Sequence, residues 1–299
     1  MTSAGSVAAL LATATERLRA VGVDSPAADA RVLLSYCFGC EPRDLDGKKP
    51  VDDDLRTEFE GLIARRAERV PLQHLTGRAY FRYLELVVGP GVFVPRPETE
   101  VMTGWAVDRL REMAERGIQP LAVDLGTGSG AVAKALATEV PQAQVHAVEI
   151  SEEALLWAGR NLENTGVTLH AADLSYALPE LNATVDLVIA NPPYIPLEAF
   201  ASVAPEARDH DPTVALFSGV DGLNAIREVV VTAARLLRPG GLLAVEHAEV
   251  QALSAPEVLV RNGSFETVRD HRDLAGRPRF STARRSRAGS RTAPPERSR

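Results

Sequence analysis

From Leu121 onward the chain alternates short apolar runs with amphipathic stretches, and this alternation restricts the fold more than any other feature. Leu121-Ala122-Val123-Asp124-Leu125 reads as a strand, Gly126-Thr127-Gly128-Ser129-Gly130 as a glycine turn, and Ala131 to Thr138 as the start of a helix. Val145 to Ile150 reads as a second strand ending at Glu149, Val167 to Ala171 as a third leading to Asp173, and Val185 to Ala190 as a fourth that delivers Asn191. A helix over Leu223 to Leu237, a break at Pro239-Gly240-Gly241 and a fifth strand from Leu242 to Glu246 continue the pattern, and Phe265 to Val268 and Arg279 to Thr282 can close the sheet. Strands joined through helices specify a doubly wound, Rossmann-like parallel α/β sheet, since crossovers that return the chain to the same sheet have one hand.

Open α/β sheets bind ligands beyond the carboxyl ends of their strands. There the sequence places Asp124, Glu149, Asp173 and Asn191, one polar group on each of four successive strands. The turn from Gly126 to Ala131 can be aligned with the dinucleotide pattern G-x-G-x-x-A, with Glu149 near the position of a ribose-binding carboxylate. A pyrophosphate, however, would be repelled by Asp124 immediately before the glycines, whereas an ammonium and a sulfonium would be attracted. The turn therefore suits S-adenosyl-L-methionine better than a dinucleotide.

The fourth strand runs into Asn191-Pro192-Pro193-Tyr194-Ile195. Two prolines stop ladder pairing at Asn191 and fix φ, which leaves a stiff rim at the strand's end. An amide or exocyclic amino nitrogen is a poor nucleophile because its lone pair is delocalised, so an enzyme that alkylates it must hold both N–H groups beside a flat surface. The side-chain carbonyl of Asn191 and the backbone carbonyl of Pro192 can accept those N–H groups, and Tyr194 supplies the face. The same Asn-Pro-Pro could be an ordinary turn after a core strand.

Before the α/β region, three helical patterns follow one another. Val7, Leu10, Leu11, Ala14 and Leu18 recur at helical spacing; Ser25-Pro26 caps a second helix that Gly39 stops; a third starts near Asp53 with Leu55, Phe59, Leu62 and Ile63 on one face. Arg65, Arg66 and Arg69 near its end read as a solvated helix face, with a partner-binding role as the alternative. Leu75 to Val94 alternates around Gly77 and Gly89-Pro90-Gly91 as a hairpin would. Pro95-Arg96-Pro97-Glu98-Thr99-Glu100 then opens a helix and reads as a lid or an inter-domain strut.

Composition excludes several classes. With 45% hydrophobic and 24% charged residues the chain is an ordinary globular protein, and no apolar run approaches the roughly 18 residues of a membrane span. The start lacks a cationic segment ahead of an apolar one, so a cytoplasmic location is expected. A formal charge of −7 argues against a duplex-wrapping surface. Cys37 and Cys40 form a lone C-x-x-C without a second pair or a nearby His, which predicts reduced thiols and no metal site.

Taken together, Asp-Leu-Gly-Thr-Gly-Ser-Gly followed by Asn-Pro-Pro-Tyr resembles the class I amino-methyltransferases. Within them the chain is similar to the HemK/PrmC family, which methylates the glutamine side-chain amide in the Gly-Gly-Gln motif of bacterial peptide chain release factors. Nearly the whole chain carries the likeness: the helical N-terminal domain, Pro71 to Gly77, Val94 to Glu100, the glycine turn, Asn191 to Ile195, Asp221-Gly222-Leu223, Glu246-His247 with Gln251, and Asp273 to Gly276.

The resemblance implies that Asp124, Gly126, Thr127, Gly128, Ser129 and Gly130 line the methionine part of S-adenosyl-L-methionine, that Glu149 takes the ribose hydroxyls, and that Asp173 and Leu174 flank the adenine. Asn191, Pro192, Pro193 and Tyr194 would hold the glutamine amide, with Asn191, Pro192 and Tyr194 as the catalytic groups and Asn191 also contacting the cofactor. Leu174 stands where many members carry an aromatic residue, and His210-Asp211-Pro212 where Phe-Glu-Pro is common. The patterns along the chain divide it into a helical domain over 1–75, a hairpin linker over 76–96, a domain over 97–283 and a disordered basic tail over 284–299, and the resemblance makes the first a substrate-recognition domain and the third a methyltransferase domain. The expected partner is a release factor rather than a membrane or a nucleic acid. The rival functions are amino-methylation of DNA or rRNA and a non-catalytic cofactor-binding adaptor.

Overall fold

The computed structural model describes residues 6–287. In chain order these form α1 (Val7–Ala20), α2 (Pro26–Phe38), α3 (Asp53–Ala67), α4 (Leu72–Thr76), β1 (Arg78–Phe81), β2 (Leu84–Val87), α5 (Thr99–Glu115), β3 (Leu121–Leu125), α6 (Ala131–Glu139), β4 (Gln144–Glu149), α7 (Glu152–Leu162) and β5 (Thr168–Ala171). They continue with β6 (Val185–Ala190), α8 (Pro205–His210), α9 (Thr213–Leu216), α10 (Asn224–Leu236), β7 (Leu237–Glu246), α11 (Ser254–Asn262), β8 (Phe265–Arg272) and β9 (Pro278–Arg285). The chain divides into two compact units: among the described residues, one holds 6–78, 88–90 and 203–211, and the other 79–87, 91–202 and 212–287.

In the first unit the three expected helices form where the sequence places them. Ser6 caps α1 by accepting from the Ala9 amide, and Asp52 caps α3 by accepting from Leu55 at 2.8 Å, each satisfying an amide that the helix cannot bond itself. Leu10, Leu18, Leu33, Leu34, Phe59 and Ile63 meet in one buried cluster. Full burial of a side chain such as Phe59 stabilises by about 2–3 kcal/mol.

The end of α3 corrects the sequence reading. Arg65 is exposed, but Arg66 is buried, with Nε donating to Asp29 Oδ2 at 2.7 Å and Nη2 to Glu206 Oε1 at 2.9 Å. Arg69 donates to Glu206 Oε2 at 2.8 Å. Burial would raise the Glu206 carboxyl, but its bonds to Arg69 and Arg66 outweigh that and hold it below its ordinary value. So α8, in the segment 203–211, completes a unit begun far upstream in the sequence. Cys37 and Cys40 are free thiols, as expected, and burial together with the negative Glu58 pushes Cys37 up to about 11.

The second unit is built on a seven-stranded sheet in the order β5-β4-β3-β6-β7-β9-β8. β3 pairs in parallel with β4 on one side and β6 on the other, so the winding reverses at β3. That reversal opens a crevice at the carboxyl ends of β3, β4 and β6. β6 is buried along its whole length, which explains its continuous apolar run.

Three expectations need correction here. The sheet is not wholly parallel, because β9 runs antiparallel to both β7 and β8. Pro239-Gly240-Gly241 does not separate α10 from a later strand: β7 begins at Leu237, directly after α10, and these residues form a bulge between its pairings to Val185 and Leu187. Nor does a tail start at 284, because Arg284 and Arg285 belong to β9, where Arg285 donates to Ala234 O and Ser264 O. The rest of the expected tail, 288–299, lies outside the described residues.

Candidate active site

The glycine turn follows β3 and enters α6. Gly126, Gly128 and Gly130 all have positive φ, a conformation that carries little cost only without a Cβ. A Cβ on Gly130 would come within 3.0 Å of Leu162, whereas at Gly126 and Gly128 it would meet nothing within 4 Å. The turn is therefore packed against α7 at its end and open at its start.

Its carboxylates turn inward. Asp124 is buried, and its Oδ2 accepts from Thr127 Oγ1 at 2.6 Å and from the Ala133 amide at 3.2 Å. Burial pushes its carboxyl up to about 7 against these two bonds. Glu149, at the end of β4, accepts from Gly128 N at 2.8 Å through Oε2 and from Ile150 N and Ser151 N at 2.9 Å through Oε1. Thr127 and Ser129 are both buried, and Asn161 of α7 donates to Ser129 O and to Val87 O, both at 2.9 Å. Asn161, which no local pattern singles out, thus locks the turn to the end of β2.

Beyond β5, Asp173 is exposed and its Oδ1 accepts from Ser175 N at 2.8 Å. Leu174 is half-buried against the sheet's core cluster, so an apolar side wall stands where an aromatic was expected. With open room over Gly126 and Gly128, two carboxylates at strand ends and this apolar wall, the residues fit an adenosine group bearing a cationic sulfur.

At the end of β6, Asn191 is half-buried and donates from Nδ2 to Thr99 Oγ1 at 3.1 Å. Thr99 is the first residue of α5, so the Pro-Arg-Pro-Glu-Thr-Glu segment supplies a partner for the asparagine rather than acting only as a strut. Pro192 is buried and Pro193 half-buried. Tyr194 packs partly on the core, and its hydroxyl donates to Glu246 Oε1, at the end of β7, at 3.1 Å. Burial and the Glu246 charge push the Tyr194 hydroxyl far up, and burial pushes Glu246 up to about 7.

The same motif is braced from behind. Gln251 donates from Nε2 to Tyr194 O at 2.9 Å and to Asp221 O at 3.2 Å, while its Oε1 accepts from Ala248 N at 2.9 Å. A Cβ at Gly222 would stand 2.3 Å from Tyr194 O, so no other residue fits there without moving the loop. Asp273 accepts from Arg277 and Arg279, and Arg279 in turn faces Glu246. Gly222, Glu246, Gln251 and Asp273 were visible in the sequence as motif residues, but nothing local revealed that they share Tyr194 and its neighbours.

The PrmC N-terminal domain model matches residues 9–77 and a methyltransferase domain model matches 122–211. The Release factor glutamine methyltransferase of Streptomyces coelicolor is 54% identical over 276 residues, covering 92% of this chain and 97% of that protein. The chain belongs to the release factor glutamine methyltransferase family. The Mycolicibacterium smegmatis member is 47% identical over 91% of this chain and 95% of its own. A 4-amino-L-phenylalanine/4-methylamino-L-phenylalanine methyltransferase from Streptomyces pristinaespiralis is 42% identical, covering 88% of this chain and 90% of its own. Among solved structures the hMettl16 catalytic domain shares the fold, with a TM-score of 0.52 and 13% identity over 70% of this chain and 78% of that one. As a member of this family the chain is an S-adenosyl-L-methionine-dependent methyltransferase, and its α/β unit has the class I fold. Among the described residues no helix is long and apolar enough to cross a membrane.

Proposed function

We propose that this protein methylates the side-chain amide nitrogen of the glutamine in the Gly-Gly-Gln motif of peptide chain release factors, working in the cytoplasm with the release factor as its protein partner. The reading is carried by Asn191, whose carboxamide is held by Thr99 at a rigid strand end beside the glycine turn. S-adenosyl-L-methionine, when bound, supplies an electrophilic methyl group. The residues of this chain do the rest. Asn191 Oδ1 and the Pro192 carbonyl accept the two N–H groups of the amide, which keeps its plane fixed and its nitrogen directed. Pro193 holds the turn, and the Tyr194 ring, anchored through its hydroxyl, flanks the amide plane.

On the cofactor side, the open face of Gly126 and Gly128 takes the methionine portion, Glu149 the ribose hydroxyls, and Asp173 with Leu174 the adenine. Glu149 already accepts three backbone N–H groups and, of its roughly four acceptor sites, keeps one on Oε2 for a hydroxyl. Asp124, Thr127, Ser129 and Gly130 act through the shape of the turn, because Asp124 commits Oδ2 to Thr127 and Ala133. The helical unit recognises the release factor.

The test is mass spectrometry of the Gly-Gly-Gln peptide after purified protein and S-adenosyl-L-methionine are incubated with a release factor. Parallel arms contain DNA, rRNA and 4-amino-L-phenylalanine. A single added methyl on the glutamine is expected. Methylation of another arm alone, or none in any, would overturn the reading.

A further inference from the structure

An imidazole ring is costly to bury unless both of its nitrogens find partners. His247, directly after β7, is fully buried and finds both: Nδ1 lies 2.9 Å from Ala248 O, and Nε2 lies 2.9 Å from Oδ1 of Asp270 in β8. Its own amide donates to Arg279 O of β9 at 2.9 Å. Main chain and side chain are thus held by the last two strands, and the proposed reaction uses neither ring nitrogen.

What the ring serves lies beyond Ala248. Ala248 O also accepts from Gln251 N at 2.9 Å, and Ala248 N donates to Gln251 Oε1 at 2.9 Å. Both backbone groups of one residue therefore hold Gln251 and decide which end of its carboxamide faces outward. With the oxygen spent on Ala248, the NH₂ end must face Tyr194 O at 2.9 Å and Asp221 O at 3.2 Å, two groups that only accept.

We propose that His247, held by Asp270, is a positioning residue that sets the Asn-Pro-Pro-Tyr loop through the Ala248 carbonyl and Gln251. Successive residues then secure Tyr194 at two points: Glu246 takes its hydroxyl at 3.1 Å, and His247 reaches its backbone carbonyl through Gln251. The Ala248 carbonyl only accepts, so Nδ1 must bear hydrogen, and an ionised Asp270 needs hydrogen on Nε2 as well. Asp270→Asn can instead donate to a bare Nε2, which keeps the hydrogen on Nδ1. Asp270→Ala leaves Nε2 unheld and the ring free to turn from Ala248. The inference rests on the proposed role of Asn-Pro-Pro-Tyr.

Steady-state kinetics with a release factor test it on the full-length protein, using His247→Phe, Asp270→Ala, Asp270→Asn, Gln251→Met and the double variant His247→Phe/Gln251→Met, with Asn191→Ala as a marker of the underlying reading. His247→Phe keeps a buried ring without its nitrogens. His247→Phe, Gln251→Met and Asp270→Ala are each expected to lower kcat at least about tenfold while KM and S-adenosylhomocysteine affinity stay within about threefold. Asp270→Asn should recover most of the rate that Asp270→Ala loses. The double variant should lose no more than the worse single one, as residues acting along one chain of contacts do.

Wild-type kcat in His247→Phe, with Asn191→Ala inactive, overturns the inference and leaves the reading of Asn191 intact. Losses that fall equally on kcat and cofactor affinity, that simply add in the double variant, or that are as large in Asp270→Asn as in Asp270→Ala also overturn it. Full activity of Asn191→Ala removes the underlying reading and the inference with it. If His247→Phe does not fold, the contrast between Asp270→Ala and Asp270→Asn decides alone, since the Asp270 side chain is partly exposed.

Discussion

Gln251 holds the backbone carbonyl of Tyr194 at 2.9 Å, and Gly222 lies so close beneath that carbonyl that a methyl group would stand 2.3 Å from it. The substrate loop is thus fixed by contacts made to its backbone rather than to its reactive groups. Gly222→Ala should displace the loop and lower kcat about 100-fold, the cost of misplacing a catalytic group by about 1 Å. Gly276→Ala is the control, since Gly276 also has positive φ but nothing within 4 Å of a Cβ. It should lose stability, read from the unfolding midpoint, and keep its rate.

Asn191→Ala should lower kcat by about 10²–10³-fold, the range for removing one fixed hydrogen-bonding group from a reaction centre. S-adenosylhomocysteine affinity, measured by calorimetry, should stay within a few-fold because the glycine turn and Glu149 are untouched.

Glu246 makes the rate depend on pH. Burial raises its carboxyl from 4.5 to about 7, with Thr99, Arg279 and Tyr194 pulling it down and Glu98 pushing it up. An ionised Glu246 accepts the Tyr194 hydroxyl proton at 3.1 Å, and protonation weakens that acceptor and loosens the anchored ring, so kcat should rise through about pH 7 and lose this inflection in Glu246→Gln. Stability should move the other way. The native state keeps a proton that the unfolded chain releases, so the Glu246 contribution falls as pH rises from about 4.5 to about 7 and then levels off. The difference in Tm between wild type and Glu246→Gln across that window measures it.

Glu206→Gln should destabilise the helical unit by about 1–2 kcal/mol, the figure for charged hydrogen bonds reduced for partial exposure. Arg69 and Arg66 hold the Glu206 carboxyl low, so its contribution is present at neutral pH and is lost as pH falls through the folded value. Hydrogen exchange in α1 to α3 should report the loss, and the variant and wild type should converge in acid.

Much of this was legible in the sequence, and what was not has one physical cause. Helix starts, the glycine turn and the strand-end carboxylates are local signals, set by caps, periodicity and backbone geometry within a few residues. The parallel core of the sheet follows from the same alternation. Partnerships are different. Thr99 meets Asn191 across 92 positions and Arg66 meets Glu206 across 140, and no local pattern distinguishes a threonine that anchors an active-site amide from one that starts a helix. For Arg66, the charge run pointed to solvent because nearby composition cannot reveal a carboxylate that arrives from α8. The direction of the last strand, expected near Arg279 to Thr282, was missed for a similar reason, since it depends on the connection and not on the strand's own residues.

The membership of 203–211 in the helical unit also governs how relatives can be recombined. A chimera that imported only residues 6–78 from another family member would set foreign side chains against the native Glu206, and both arginines would then have to be matched anew. The exchangeable cassette is discontinuous: whoever grafts the first unit must carry the 203–211 strip along with it.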